Sequence, residues 1–324
     1  MNTKVLVLGI LGMSFASLTL DPVASAATFP DKPVRIIIPW PPGGSTDIVG
    51  RLLAAELTTR LKQQVIIDNR AGASGIVGMQ IATQARPDGY TLMITSTAYG
   101  HLIYKSKVNV DLDKSFAPVA LLGFGESALV VHPSLPVKSV KELIALAKAK
   151  PGQLNYASSG VGGFPHMNTE LFKMKAGVNM LHVPFKGGGP AIADVIAGNT
   201  QLTITSLISV AQFISSGRLR VLGFGSAKRN PNYPDVPTIS EAGVPGYETS
   251  IWWGMFAPPG TPPDIIDRMH AEATAAMASP DMQKRLEEQG GKTMKMSSAE
   301  FGKLMRTETE KWMAVVKAAG IKEE

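Results

Sequence analysis

The 324-residue sequence contains no cysteine. Disulfide bonds, thiolate metal sites and a cysteine nucleophile are therefore excluded, and a chain of this length does not need cross-links to stabilise its core. No Gly-x-Ser-x-Gly motif is present, and the nearest match, Gly125-Glu126-Ser127, lacks the trailing glycine. The histidines stand alone, without the spacing of paired metal ligands: His101, His132, His166, His182 and His270. These absences argue against a serine hydrolase or a metalloenzyme.

The charge of the sequence is mildly basic and evenly spread. The net charge is +6 and the isoelectric point is about 9.4, but no run of five basic residues occurs. We therefore do not predict a nucleic-acid groove. A basic surface of this kind helps to gather anions.

Residues 1–26 have the pattern of an export signal. Lys4 is the positive start, the segment Val5 to Leu20 is apolar but short for a membrane span, and Ala24-Ser25-Ala26 fits a small-residue cleavage site. We expect cleavage after Ala26 and a mature protein that is free outside the cytoplasm. The rest of the sequence has no second long apolar span and no lipobox cysteine.

The stretch from Val34 to Leu61 predicts a strand, a glycine loop and the start of a helix. Val34 to Ile38 is a β-branched run, prolines stop it, and Gly43-Gly44 allows a tight turn. Ser45, Thr46 and Asp47 are good helix N-caps, and leucines follow at helical spacing. The free N–H groups of such a turn form an anion site. The alternative is a plain strand-to-helix connection without a ligand. The motif is neither a Rossmann fingerprint nor a P-loop.

Strands and helices alternate along the following sequence, which favours an α/β fold with a parallel sheet. A strand from Tyr90 to Thr95 ends in a polar loop, Ser96 to His101. Because ligands bind outside the carboxyl ends of parallel strands, this loop and the glycine loop belong to one candidate site. Two strands are predicted next, Pro118 to Leu122 and Ala128 to His132, separated by Gly123 to Glu126.

The opening pattern then repeats. A strand at Leu154 to Ala157 is followed by a serine- and glycine-rich loop, Ser158 to His166, which begins another helix. Serine hydroxyls and glycine N–H groups in that loop would bind a second carboxylate. A later strand, Leu202 to Thr205, ends in Ser206. A final helix is predicted from the capping box Ser297-x-x-Glu300 to about Ala319.

These elements suggest one α/β unit, a second inserted unit and a return, with two crossover segments. We predict a first lobe at residues 27–126, a second lobe at 127–248 and a return to the first lobe at 249–324. Two lobes joined by two crossings can open and close around a cleft.

The chain resembles the Bug proteins, the periplasmic solute receptors of tripartite tricarboxylate transporters. The matching stretches cover nearly all of the mature chain in order: Pro33 to Asp47, Asp68 to Gly75, Pro87 to Leu92, Val183 to Gly187 with Pro190, Ala191 and Asp194, Asp235 to Gly243, and Trp253 to Pro262. The resemblance implies a two-lobed type II periplasmic binding fold. It also implies a carboxylate held in the cleft, partly through backbone groups and water, and docking to an integral-membrane transporter pair. At Asn199-Thr200-Gln201 the sequence departs from the family, which commonly has a valine and an acidic residue there.

From the motifs and the resemblance together we predict the ligand-binding residues Trp40, Gly43, Gly44, Ser45, Thr46, Asp47, Thr95, Ser96, Ser158, Gly160, Gly163, Phe164, His166, Lys186 and Ser206. For some of them another role is open: Asp47 as a helix cap, His166 as a helix-terminus histidine bonded to backbone, and Lys186 as a solvated loop residue. Trp40, Phe164 and Trp253 either wall the pocket or pack between the lobes, and packing is the favoured role of Trp253. No catalytic residue, metal or cofactor is predicted.

Aromatic residues near the site suggest a flat ligand, such as the aromatic dicarboxylate terephthalate. Citrate-like, C4 and adipate-like acids remain alternatives, because aromatic walls also pack against aliphatic chains. We expect a monomer that binds a small carboxylate and delivers it to membrane transporter subunits, with no nucleic-acid partner. The rival functions are a sensory receptor for a membrane kinase and, less favoured, an exported hydrolase.

Overall fold

The computed structural model describes residue 1, residues 29–97, residue 112 and residues 114–321. The strands in these ranges are β1 (Val34–Ile38), β2 (Val65–Asn69), β3 (Thr91–Ser96), β4 (Ala117–Val131), β5 (Asn155–Ser158), β6 (Leu181–Pro184), β7 (Leu202–Ser206), β8 (Arg220–Phe224), β9 (Ser250–Ala257) and β10 (Gly291–Lys292). The α-helices there are α1 (Ser45–Leu61), α2 (Ile76–Thr83), α3 (Val140–Ala149), α4 (Phe164–Ala176), α5 (Gly188–Ala197), α6 (Leu207–Ser215), α7 (Pro263–Met277), α8 (Pro280–Glu287) and α9 (Ser298–Ala318). The strands pair in the order β2-β1-β3-β9-β4-β7-β5-β6, and β8 and β10 also pair with β4.

The first lobe is built on strand β1, which pairs in parallel with β2 and β3. Ile36 and Ile38 belong to one buried cluster with Leu53 of α1, whereas Ile37 belongs to another with Met79 of α2. Successive side chains of a strand point to opposite faces. Both faces of β1 are therefore covered by helices, which explains its uninterrupted β-branched sequence.

The second lobe repeats this arrangement around β5, which pairs in parallel with β6 and β7. The last residues of β4 run antiparallel to β7 and β8. Leu129 packs in a cluster with Tyr156 and Phe172, and its neighbour Val130 packs in a different cluster with Phe224. Each lobe thus has hydrophobic packing on both faces of its sheet.

Strand β4 passes from one lobe to the other without a break, so the prediction of two separate strands was wrong. Residues 117–126 pair with β9, and residues 127–131 pair with β7. Gly123 and Gly125 lie inside this strand because they admit close neighbours. A Cβ on Gly123 would lie 2.6 Å from the carbonyl oxygen of Lys292, and one on Gly125 would lie 2.4 Å from the Trp253 ring. The predicted lobe boundaries after residues 126 and 248 stay predictions.

Most other elements agree with the sequence-based expectations. The predicted capping box is present before α9. Helix α8 begins at Pro280, because Ser279 caps it. The predicted signal segment 1–26 and the loop residues 98–101 lie outside the described ranges, apart from residue 1. No helix in the described ranges is sufficiently long and apolar to cross a membrane.

We expect Ser297→Ala to lower the free energy of unfolding by about 1 kcal/mol, as is usual for loss of an N-cap. The Ser297 hydroxyl accepts a hydrogen bond from the backbone N–H of Glu300 at 3.2 Å, and no other side chain takes its place at the start of α9. Urea denaturation would measure the change. Thr307→Ala, on an exposed turn of the same helix, is the control, and an equal loss in both variants would contradict the role of the cap.

Candidate functional site

Among the described helices, four begin at the cleft between the lobes without a side-chain cap. These are α1 and, from the second lobe, α4, α5 and α6, with N-cap residues Gly44, Gly163, Gly187 and Ser206. Helices α3, α8 and α9 are capped by the hydroxyls of Ser139, Ser279 and Ser297, whereas α2 and α7, which contribute no residue to the cavity wall, also begin without a side-chain cap. The first N–H groups of a helix have no partner within the helix and carry partial positive charge. The four uncapped starts therefore direct unsatisfied donors and positive potential toward the cleft.

A cavity of about 430 Å³, counting the space open at its mouth, lies at these helix starts. Its walls are Trp40, Gly44, Ser45, Thr46, Ser96, Thr97, Ser159, Phe164, Pro165, Gly188, Thr205, Ser206, Ser209 and Ile251. None of these lining residues is charged. Hydroxyl groups, backbone and aromatic rings form the site.

The hydroxyls contributed by the first lobe are held in place by other side chains. Thr46 Oγ1 donates to Ser96 Oγ at 3.0 Å, and the indole N–H of Trp253 donates to Ser45 Oγ at 3.2 Å. Trp253 is fully buried and does not line the cavity. It thus packs and orients Ser45.

Asp47 is buried in the first turn of α1, but it serves the loop rather than the cavity. Its carboxylate accepts hydrogen bonds from the backbone N–H of Gly43 at 3.1 Å, from Arg51 at 3.1 Å and from Asn69 at 3.0 Å. Burial raises the pKa of Asp47, but these hydrogen bonds outweigh burial and leave the pKa below its ordinary value. The carboxylate stays ionised and fixes the glycine loop against α1.

The second lobe presents hydroxyls that lack partners. Ser206 is 1% exposed, and its Oγ has no hydrogen-bond partner among the described residues. A buried hydroxyl without a partner is costly, and this one lies at a cavity wall, where a ligand atom or water would satisfy it. Ser159, Thr205 and Ser209 line the same wall.

Ser158 and His166 do not line the cavity, and their contact with a ligand stays a prediction. Ser158 Oγ is 2.6 Å from Nε2 of His182 and accepts from the backbone N–H of Gly160 at 3.1 Å. His166 Nδ1 accepts from the backbone N–H of Gly162 at 3.0 Å. The rings of His166 and His182 stack 4.0 Å apart, and that of Tyr156 stacks on His182 at 5.0 Å. These side chains contact the 158–163 loop and hold it in place without lining the cavity.

The buried histidine stack is held neutral. Burial lowers the pKa of His166 to about 4, helped by the positive charge of Lys173. Burial lowers the pKa of His182 to about 3, with the neighbouring His166 as the next cause. A neutral His166 is needed, because its Nδ1 must accept the Gly162 hydrogen bond.

The structure therefore brings only part of the predicted set together. Predicted residues that line the cavity are Trp40, Gly44, Ser45, Thr46, Ser96, Phe164 and Ser206. Those that do not are Gly43, Asp47, Thr95, Ser158, Gly160, Gly163, His166 and Lys186. Thr95 accepts from the Trp40 indole at 3.4 Å, and Lys186 is exposed. No group of three potential metal ligands occurs among the described residues.

The lining residues missed by the prediction are Thr97, Ser159, Pro165, Gly188, Thr205, Ser209 and Ile251. Thr97, Ser159 and Thr205 are direct neighbours of predicted residues. Their position at the ends of predicted strands was a usable signal. The sequence did not show which of two adjacent side chains at a strand end faces the cavity. Gly188 lies next to a stretch that carries the family resemblance, Val183 to Gly187, and this was a weaker signal.

Comparison with known proteins gives consistent matches over almost the whole chain. The sequence profile of the tripartite tricarboxylate transporter family receptors matches residues 49–321. Protein BugT of Bordetella pertussis is 34% identical over 322 residues, which cover 97% of this chain and 98% of BugT.

Two solved structures have the same fold. A protein of R. palustris with adipate is 36% identical, with a TM-score of 0.88 over 91% of this chain and 99% of that chain. MatC from Rhodopseudomonas palustris, with bound malate, is 30% identical, with a TM-score of 0.84 over 89% of this chain and 100% of that chain. The predicted two-lobed α/β binding fold is confirmed.

The histidine stack predicts a pH dependence of stability. An unfolded histidine titrates near pH 6.5, whereas His166 in the folded protein has a pKa of about 4. As the pH falls from about 6.5 to 4, the unfolded state binds a proton that the folded state excludes, so stability decreases. In His166→Asn, whose amide oxygen replaces Nδ1 as acceptor, this loss between pH 7 and pH 5 should be smaller by about 2 kcal/mol.

Urea denaturation at both pH values would measure this difference. His132→Asn, which removes a histidine outside the stack, is the matched control. Identical pH dependence in the wild type and in His166→Asn would contradict the proposed neutral stack.

Proposed function

The chain belongs to the tripartite tricarboxylate transporter receptor family, whose members are periplasmic solute-binding receptors and not enzymes, and from this premise we propose that it captures a small carboxylate in the cavity and delivers it to a tripartite tricarboxylate-type membrane transporter. The single observation that carries this proposal is the convergence of four uncapped helix starts on an uncharged, hydroxyl-rich cavity. Free helix N–H groups bind anions. A cationic ligand would find no carboxylate among the described lining residues.

The first lobe is suited to bind first. Ser45, Thr46 and Ser96 are already oriented by hydrogen bonds, so binding there costs little side-chain entropy. The second lobe then supplies Ser206, whose hydroxyl lacks a partner. Contacts to both lobes exist only when the cleft is closed, and the ligand therefore stabilises the closed state.

For the ligand itself we propose a dicarboxylate, because helix starts from both lobes offer separate anion sites. The adipate in the R. palustris relative and the malate in MatC support an aliphatic acid. Trp40 and Phe164 both line the cavity and support an aromatic acid such as terephthalate. The aliphatic acid is our first choice and the aromatic acid our second.

We also propose that the protein is exported, is cleaved after Ala26 and acts as a monomer. The sequence pattern of residues 1–26 supports export, and the periplasmic relatives agree with it. Mass spectrometry of the protein purified from the periplasmic fraction would give the cleavage site.

A thermal-shift screen of residues 27–324 against malate, adipate, citrate and terephthalate tests the function. A ligand at 100 times its Kd stabilises the folded state by about 2.7 kcal/mol, which raises Tm by several degrees. A shift with one acid supports a carboxylate receptor and names its chain length and aromaticity. Shifts with none, in protein shown by mass spectrometry to hold no bound acid, would contradict the proposal.

Ser206→Ala tests the site within the screen. Losing a hydrogen bond to a charged ligand should weaken binding of the identified acid by about tenfold or more. The apo protein should remain as stable as the wild type, because the deleted hydroxyl has no partner among the described residues. Thr203→Val is the matched control: Thr203 lies on the same strand and also has a buried, unpartnered hydroxyl, but it does not line the cavity. Isothermal titration calorimetry that finds equal affinity for both variants would exclude Ser206 from the site.

A further inference from the structure

We propose that Gly187 and Gly189 determine how closely the two lobes approach each other, and thereby the size of the acid that the cavity accepts. The part of this inference that concerns ligand size rests on the proposed function. The part that concerns closure depends only on contacts across the cleft.

The start of α5 contacts Pro41 and Pro42, which precede the glycine loop of the first lobe, at close range. A Cβ on Gly189 would lie 2.5 Å from the carbonyl oxygen of Pro42. A Cβ on Gly187 would lie 2.2 Å from the Pro41 ring. Real Cβ atoms do not approach other atoms so closely, so a larger residue at either position requires the lobes to separate.

The partners of these glycines are rigid. Pro42 contributes a backbone carbonyl, and the Pro41 ring has no freedom about φ. A long side chain at the contact would bend away, but backbone atoms and a proline ring do not. The contact therefore sets the smallest distance to which the two lobes can approach each other.

Gly189 has no requirement for glycine within its own lobe. It lies in the first turn of α5, and it is not among the residues with positive φ. Alanine is favoured over glycine in helices by up to about 1 kcal/mol. The close contact with Pro42 is thus what requires glycine at position 189. At position 187, where φ is 154°, the turn requires glycine as well.

The limit acts directly on the ligand cavity. Gly188, between the two glycines, lines the cavity, and its added Cβ would lie at an ordinary 3.7 Å from the Cα of Gly44. Moving α5 away from Pro42 moves this wall outward. Gly189→Ala should therefore widen the closed cavity, and Gly188→Ala is a control in the same helical turn.

A disulfide reporter measures closure without a ligand. A Cβ on Gly160 would lie 3.7 Å from Cβ of Ser74 in the other lobe, close to the mean of about 3.8 Å in disulfides. Because the chain has no cysteine, Ser74→Cys with Gly160→Cys introduces the only possible bridge. Non-reducing electrophoresis after mild oxidation then gives the rate of cross-linking, with and without malate or adipate.

We expect the double-cysteine protein to cross-link, and Gly189→Ala to slow this by about tenfold. Gly188→Ala in the same background should stay within about twofold, since its contact is ordinary. Cross-linking at the parent rate in Gly189→Ala would overturn the proposal. Gly160 has a φ of 109°, which strains any side chain placed there. Should the cysteine variants fail to fold or to cross-link, small-angle X-ray scattering of the cysteine-free Gly189→Ala and Gly188→Ala proteins decides the question, and equal radii of gyration would overturn it.

The effect on specificity is measured separately. If malate and adipate bind, Gly189→Ala should shift the ratio of their Kd values toward the longer adipate by about fivefold, and an unchanged ratio would refute the size limit. If neither acid binds the wild type but Gly189→Ala still slows cross-linking, the proposed ligand class fails and the closure limit stands. If acids bind and cross-linking is unaffected, the closure limit alone fails.

Discussion

The backbone donors at the starts of α1, α4, α5 and α6 are the constraint around which the molecule is arranged. Each helix leaves N–H groups that its own residues do not satisfy, and no described side chain caps these four helices. Water or a ligand must therefore complete them. The strands that precede these helices bring their carboxyl ends to one cleft, so an anion between the lobes meets donors from both sides. This arrangement needs no cationic side chain in the cavity wall, and none of the described residues that line it is cationic.

Both lobes are built to hold these helix starts in place. In each, a central strand has apolar packing on both faces, and the long strand β4 joins the two sheets. The polar groups behind the cavity have a similar function. Asp47 fixes the first-lobe loop, and the His166 and His182 stack supports the second-lobe loop. Asp47 and His166 are buried and His182 is half-buried, and all three are hydrogen-bonded within the protein, whereas the hydroxyl of Ser206 is buried without a partner among the described residues. The difference separates residues that position the site from those available to a ligand.

Closure is limited by backbone atoms at one edge of the same cleft. Helix α5 contributes Gly188 to the cavity wall and Gly189 to the contact with Pro42. One short segment thus links the distance between the lobes to the width of the cavity. In a receptor whose closed state is the bound state, this distance would select among acids of different length, as we propose for this protein.

The sequence by itself determined the local elements and the family. The β-branched run of β1, the glycine loop and the capping box of α9 are short-range patterns, whose physics is complete within a few residues. The ordered motifs were sufficient to predict a two-lobed receptor. Only the tertiary structure decided which hydroxyl of a run faces the ligand. Ser158 and Ser159 have the same chemistry, but His182, distant in sequence, bonds Ser158 and leaves Ser159 at the cavity.

The tertiary structure also decided that Gly123 and Gly125 continue β4, because the neighbouring strand and the Trp253 ring need the space that a side chain would fill. Glycine by itself signals a break in a strand, and only the packing around it shows when it instead permits a close approach.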